Sequence, residues 1–377
     1  MRSAGSDLLC VNAGPLRLAF VASLRPGEAS GAARAATALI GGLQRRGHVL
    51  DLCTDGLADQ QVLGLGDQAA AQAAMQQRLG THHATLTERW RSAPPDLVHV
   101  EIADGYGHVA QQVASQLGIA VSSRFHALHA FAPPAMRDHG LRLLLAFHRR
   151  VACTIAQTTD LGLWLARQGL PEVETIGNGV DAERFHPRQR SVTLRTRWVA
   201  GDDTPVALWV GQLRAEKNTA LLLRCANALH ERLPAARLVV VGDGPQASDL
   251  RRALPWAVFT DVLRDDALAA AYASADALLF PSRIDSWGHV VLEAMASATA
   301  PVAFARAAAA TCGRDGLSAA LVQEGDDQSF IARALDLFGD LPRCRLMGTE
   351  ARRDAEQFSW DATIDRYEAL FRRLSPR

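Results

Sequence analysis

Strand-like and helix-like segments alternate along nearly the whole chain, in two separate series. This alternation admits few architectures, because strands separated by helical crossovers pair in parallel and need helices on both faces. In the first series the strand candidates are 16–22, 49–53, 97–100, 119–123, 153–156 and 173–176. Helical patterns lie between them at 32–46, 68–91, 109–117, 141–150 and 161–167. The turn-rich segment Gly177-Asn-Gly-Val-Asp-Ala-Glu-Arg-Phe-His-Pro187 follows, and the charged stretch to Pro205 reads as a linker. The second series has strand candidates at 206–210, 238–241, 258–259, 277–280 and 301–304. Its helix candidates are 219–232, 246–254, 267–273, 288–297 and 329–338, with a last one at 361–374 after a break at Phe358-Ser-Trp360. A chain of 377 residues exceeds one ordinary core and suits two α/β domains.

Composition narrows the function classes. Apolar residues make up 48%, charged residues 21%, and the net charge is zero, so bulk electrostatics give no reason to expect a nucleic-acid partner. The six cysteines include no close pair; this is neither a zinc pattern nor a disulfide framework, and it fits a reducing, cytoplasmic setting. The apolar run 16–24 is broken by Arg17 and is too short to span a bilayer. The stretch Leu141-Arg-Leu-Leu-Leu-Ala-Phe-His-Arg-Arg150 is amphipathic with a basic end. It suits either an ordinary packed helix or peripheral contact with an anionic membrane surface.

Two acids carry most of the chemical information. Asp285 and Glu293 lie in Phe280-Pro-Ser-Arg-Ile-Asp-Ser-Trp-Gly-His-Val-Val-Leu-Glu-Ala-Met-Ala-Ser297, which leaves an apolar strand, turns at Gly288 and enters an apolar helix. Charge is seldom buried unless paired or bound, and Glu293 has no lysine or arginine three or four positions away. Eight residues at helical rise span about 12 Å, which suits hydroxyls at the two ends of a nucleotide sugar. A carboxylate satisfied within the core is the alternative.

Other segments fit anion binding. Val210-Gly-Gln-Leu-Arg-Ala-Glu-Lys-Asn218 follows a strand and opens a helix, so Gly211 and the positive helix end, with Arg214 and Lys217, suit phosphate. A solvated first turn is equally compatible. In Val241-Gly-Asp-Gly-Pro245, Gly242 and Gly244 permit close backbone approach, to a ligand or within a tight turn. Gly31, in Arg25-Pro-Gly-Glu-Ala-Ser-Gly-Ala-Ala-Arg34, is a similar loop candidate. His126 ends Ser122-Ser-Arg-Phe-His126, at a strand end where α/β sites form. His129 is nearby, yet no third ligand stands at a metal-binding spacing.

In this order the motifs resemble the retaining glycosyltransferases of family 4, which have the GT-B fold. The resemblance runs from about Leu16 to Leu374. In the second half it rests on Val210 to Asn218, Val241 to Pro245, Tyr272-Ala-Ser-Ala-Asp276, Phe280-Pro-Ser282 and Leu292-Glu-Ala-Met-Ala296. In the first half it rests on Arg46-Gly-His48, Pro95-Asp-Leu-Val-His99, Arg124-Phe-His126 and Asn178-Gly-Val-Asp181. It implies two Rossmann-like, doubly wound domains facing a central cleft: 1–187 on the acceptor side, 188–357 binding the nucleotide sugar, and 358–377 as a helix returning to the first.

The resemblance also implies transfer of a hexose, with retention, from a nucleotide diphosphate sugar such as GDP-mannose or a UDP-sugar. The acceptor would be a glycan or a lipid-linked molecule at the inner face of the cytoplasmic membrane, with no metal and no cofactor. Glu293 matches the acid that holds ribose hydroxyls, Asp285 the acid near the donor sugar, Lys217 the cation on the diphosphate and His126 the histidine near the reacting sugar. Gly31 falls in the glycine loop near phosphates and acceptor. Three departures stand out: Asp285 replaces glutamate, Gln212 replaces an arginine, and Ser297-Ala-Thr-Ala300 with Arg306-Ala-Ala-Ala-Ala-Thr311 replaces a glycine turn and an acid-ended segment. They keep open a catalytically weak, nucleotide-sugar-binding protein on the same scaffold.

Overall fold

The computed structural model describes residues 14–22, 31–53, 68–126, 134–283 and 287–375. Among them are twelve strands: β1 Arg17–Val21, β2 Val49–Cys53, β3 Leu97–Val100, β4 Val121–Arg124, β5 Cys153–Ala156, β6 Val173–Thr175, β7 Val206–Val210, β8 Arg237–Val241, β9 Val258–Phe259, β10 Ala277–Phe280, β11 Ala300–Phe304 and β12 Ala320–Val322. They form two six-stranded sheets, ordered β2-β1-β3-β4-β5-β6 and β12-β11-β10-β7-β8-β9. In the second sheet β7 pairs in parallel with both β8 and β10, and strand order reverses there. The parallel pairing is the one expected from the alternation, and the reversal is the doubly wound arrangement that the resemblance implies. The chain divides into two compact units: Met1–Ser123 with Arg150–Cys153 and Glu368–Arg377, and Arg124–Arg149 with Thr154–Tyr367.

Side-chain alternation builds the second sheet into a three-layer sandwich. Val206, Leu208, Val239, Val241, Leu278 and Phe280 enter one apolar cluster, while Ala207, Trp209, Leu238, Val240, Ala277 and Leu279 enter another. Successive residues of a strand point to opposite faces, so strands buried on both sides must be apolar throughout. The sequence VALWV of β7 meets that requirement.

The charged stretch after Pro187 is not a linker. Ser191 caps the helix Val192–Arg197 by accepting from Leu194 N at 3.1 Å. Arg195 is buried, donating to the carbonyls of Ser274 (2.8 Å), Gly201 (2.6 Å) and Thr204 (2.7 Å) and to Asp276 Oδ2 (3.2 Å). A buried arginine is tolerable when both terminal nitrogens are spent in this way, although its Nε has no hydrogen-bond partner among the described residues. Further elements absent from the sequence reading are β12 and the helices Ala307–Cys312 and Leu341–Glu356. The helix expected from 109 begins at Gly105, because Asp104 Oδ1 accepts from Gly107 N at 2.9 Å. The last helix, Trp360–Leu374, contributes Tyr367 to one unit and the residues from Glu368 onward to the other.

Candidate functional site

In open α/β sheets ligands bind beyond the carboxyl ends of the strands, where strand order reverses. In the second sheet that point lies between β7 and β10. The segments leaving β7, β8 and β10 carry Gly211 to Asn218, Gly242 to Gly244, and Pro281 to Gly288.

The segments after β7 and β8 are laced together by their backbones. Gly211 N donates to Val241 O at 3.0 Å, Leu213 N to Asp243 O at 2.9 Å, and Gln246 N to Leu213 O at 3.0 Å. Gly242 has φ 134°, and a Cβ there would collide with the carbonyl oxygen of Gly211. A Cβ on Gly244 would lie 2.6 Å from Leu213 O. Both glycines are therefore accounted for by close backbone approach. After Gly211 the chain does not enter an α-helix directly. A 3-10 turn, Ala215–Lys217, comes first, then Asn218 with φ 55°, then the helix Thr219–Arg232. Lys217 is half-buried in that turn. Arg214 is exposed, its Nη1 lying 3.9 Å from Glu216 Oε1.

Glu293 sits on the helix His289–Ala296, where Val291, Leu292, Ala294, Met295 and Ala296 are also buried. Glu293 is 6% exposed, and Tyr272 Oη donates to its Oε2 at 3.0 Å. Tyr272, itself fully buried, has its carbonyl engaged by Thr299 Oγ1 at 2.6 Å. A carboxylate buried in this way requires hydrogen bonding to offset lost hydration. Gly288 precedes the helix with φ 95°, a conformation that favours glycine. Asp285 lies outside the described residues.

His126 follows β4 and is 8% exposed, held at the sheet edge by Phe125 N donating to Ile155 O at 2.9 Å. Two residues earlier, Arg124 is fully buried. It donates to Tyr367 Oη through Nε at 3.1 Å and through Nη2, and to Asn178 Oδ1 through Nη1 at 2.9 Å. Its guanidinium also lies 5.5 Å from the centroid of the Tyr367 ring. Asn178 Nδ2 in turn reaches His289 Nε2 at 3.1 Å. The end of β4 and the start of the Glu293 helix are thus joined by one chain of contacts. Gly31 is the first residue of the helix Gly31–Arg45 rather than part of a loop, and it belongs to the other unit.

The sequence singled out Glu293 but not its partner Tyr272. Arg124 and Asn178 lie in segments that carry the family resemblance, but local pattern assigns their side chains no role. Both residues are uncommon types to bury, but their partners lie 243 and 111 positions away, beyond the reach of local pattern. Among the described residues, no group of three or more His, Cys, Asp or Glu is arranged to hold a metal ion. No described helix is long and apolar enough to cross a membrane.

Residues 29–184 match the Glycosyltransferase Family 4 profile and residues 204–340 that of Glycosyl transferases group 1. The sulfoquinovosyl transferase SQD2 of Arabidopsis thaliana is 30% identical over 71% of this chain, although the match spans only 54% of that protein. The GDP-mannose-dependent alpha-mannosyltransferase of Mycolicibacterium smegmatis is 32% identical, over 79% of this chain and 80% of its own length. In fold, the chain resembles sucrose-phosphate synthase of Thermosynechococcus elongatus (TM-score 0.74, 18% identity, 95% of this chain and 99% of that one). It resembles Anabaena Alr3699/HepE, solved with UDP, equally well (TM-score 0.74, 18% identity, 95% and 100%). With both profiles in the order of the two sheets and a relative matched along 80% of its length, the chain belongs to the family 4 glycosyltransferases, the glycosyl transferases group 1.

Proposed function

We propose that this protein transfers a hexose, with retention of anomeric configuration and without a metal ion, from a nucleotide diphosphate sugar to a glycan or lipid-linked acceptor. The observation that carries the reading is Glu293, a carboxylate buried in an apolar helix beside the strand-order reversal and hydrogen-bonded by Tyr272. In this reading Glu293 accepts from the ribose hydroxyls. Lys217, with Arg214, neutralises the diphosphate, and Asp285 contacts the donor sugar. His126 stands by the reacting carbon. Backbone at Gly211, Gly242, Gly244 and Gly288 lies against the donor.

A departing nucleoside diphosphate accumulates negative charge, and fixed cations and helix N–H groups there lower the barrier. In a front-face displacement the leaving phosphate takes the acceptor proton, so no enzymic nucleophile is required. GDP-mannose and UDP-sugars are the donors we favour, the first because a relative matched along 80% of its own length is named for it. We further place the boundaries of the two domains and the returning helix at 1–187, 188–357 and 358–377, with the enzyme working in the cytoplasm against the membrane's inner face.

Thermal unfolding in the presence of UDP, GDP, ADP and their sugars tests this. A nucleotide at a hundred times its Kd stabilises by about 2.7 kcal/mol. Glu293→Gln, which keeps a partner for Tyr272 but loses the charged acceptor, should weaken binding tenfold or more. Unchanged melting with every nucleotide sinks the proposal. The exposed Gln212 and the shorter Asp285 favour a second reading, a nucleotide-sugar-binding protein without turnover. Binding without nucleotide release from any donor would select it.

A further inference from the structure

We propose that Asn178 and His289 form a positioning pair for the nucleotide-sugar site, with Asn178 holding His289 as the neutral tautomer that carries its proton on Nδ1. This rests on the functional reading above. The argument begins at Arg124, whose guanidinium is a donor only. Its Nη1 lies 2.9 Å from the side-chain oxygen of Asn178, so that oxygen is the acceptor and the amide orientation is fixed. The Asn178 amide nitrogen, a donor, then faces His289 Nε2 at 3.1 Å. A ring nitrogen that accepts has no proton, so the imidazole is neutral and Nδ1–H is its donor.

The backbone around Asn178 is shaped for this placement. Gly177 packs where a Cβ would collide with the Trp287 ring, and at Gly179 a Cβ would lie 2.6 Å from Trp360 Cα. Val180 N donates to Phe358 O at 2.9 Å and Trp360 N to Val180 O at 3.3 Å, pinning the segment from the other side. Asn178 is 2% exposed, so its amide has little freedom to turn.

His289 is the first residue of the helix that bears Glu293, four positions before it. Residues so spaced are neighbours on one helix face. The pair therefore ties the face carrying Glu293 to Arg124, two residues before His126, within one compact unit. Misplacement of reacting groups by about 1 Å can cost a hundredfold in rate, so the pair should act on turnover more than on nucleotide affinity.

Two readouts test this in the full chain. Nitrogen-15 spectra of labelled histidine at pH 7.5 should show His289 with an unprotonated Nε2 and a protonated Nδ1, and Asn178→Asp should drive the ring to the doubly protonated form. Release of GDP from GDP-mannose, or of UDP from UDP-glucose, should fall tenfold or more in His289→Ala with nucleotide Kd within threefold of wild type. In His289→Gln the side-chain carbonyl can take the Asn178 N–H, and the rate should return to within threefold. A protonated Nε2 in the wild type, or equal rates for the alanine and glutamine variants, overturns the pair. Failure of the wild type to bind either nucleotide overturns the functional reading instead, and the histidine spectrum still decides the pair.

Discussion

Val199 shows how a single residue can sit against its own preference. The helix Val192–Arg197 ends with Trp198 as its cap, and Val199 follows with φ 56°. Val199 N donates to Thr196 O at 3.0 Å and Ala200 N to Arg195 O at 2.9 Å, the paired bonds of a left-handed helix stop. Glycine is the usual residue there, and a β-branched side chain is strained. Val199 is 71% exposed, so little packing would be lost on replacement. Val199→Gly should therefore stabilise the chain by about 1 kcal/mol, read as a higher urea midpoint with an unchanged slope. An unchanged or lower midpoint would show the strain to be relieved elsewhere. Glu293 could be picked out in the sequence because a carboxylate among apolar residues violates a compositional rule. Tyr272 could not, because its hydroxyl reaches Glu293 across 21 positions. Val199 escaped notice for a related reason: a turn fixed by its neighbours' hydrogen bonds leaves no mark on its own identity.

At the scale of elements, the alternation of apolar and polar runs located most strands and helices, including β7, β10 and the helix Thr219–Arg232. It failed on Leu341–Glu356, whose buried apolar residues are small or thin, Cys344, Met347, Gly348, Ala351 and Ala355, and whose buried face also carries the charged Asp354. Such a face has little hydrophobic contrast with a charged opposite side, and the period is lost. The small residues are there because the helix lies against the turn after the Glu293 helix. A Cβ on Gly348 would collide with the carbonyl oxygen of Ala298, a backbone atom with no rotamer in which to retreat. Gly348→Ala should then cost about 1–3 kcal/mol, the range for overpacking, despite the better helix propensity of alanine. Equilibrium unfolding measures it. A gain in stability would mean that the helix can slide away from the turn, and Ala298, with φ 59°, would be the residue released.

At the scale of the whole molecule, the end of the chain joins its beginning: the residues from Glu368 onward fold with Met1–Ser123. Phe371 packs on His99 with ring centroids 5.4 Å apart, and Arg372 Nη1 donates to Gly14 O at 3.0 Å. The sequence marked a last helix but not what fastens it. The fastening is Glu368, which accepts from Arg372 Nη2 at 2.7 Å and Arg46 Nη1 at 3.1 Å and lies 3.5 Å from His48 Nε2. Burial alone pushes the Glu368 carboxyl up, but hydrogen bonds from Arg372 and Arg46 and the charge of His48 outweigh it, and its pKa falls below the usual value. A carboxyl whose pKa is lower folded than unfolded stabilises the fold above its unfolded pKa, about 4.3. That stabilisation is lost as pH falls through the lower, folded value. Glu368→Gln should therefore cost about 1 kcal/mol at pH 7, the scale of a partly exposed ion pair. The gap between wild type and variant should close as the pH drops from about 5 to about 3. Urea unfolding across that window decides the matter: a gap independent of pH would assign Glu368 a packing role, and no gap at neutral pH would move the anchor of the last helix to Phe371.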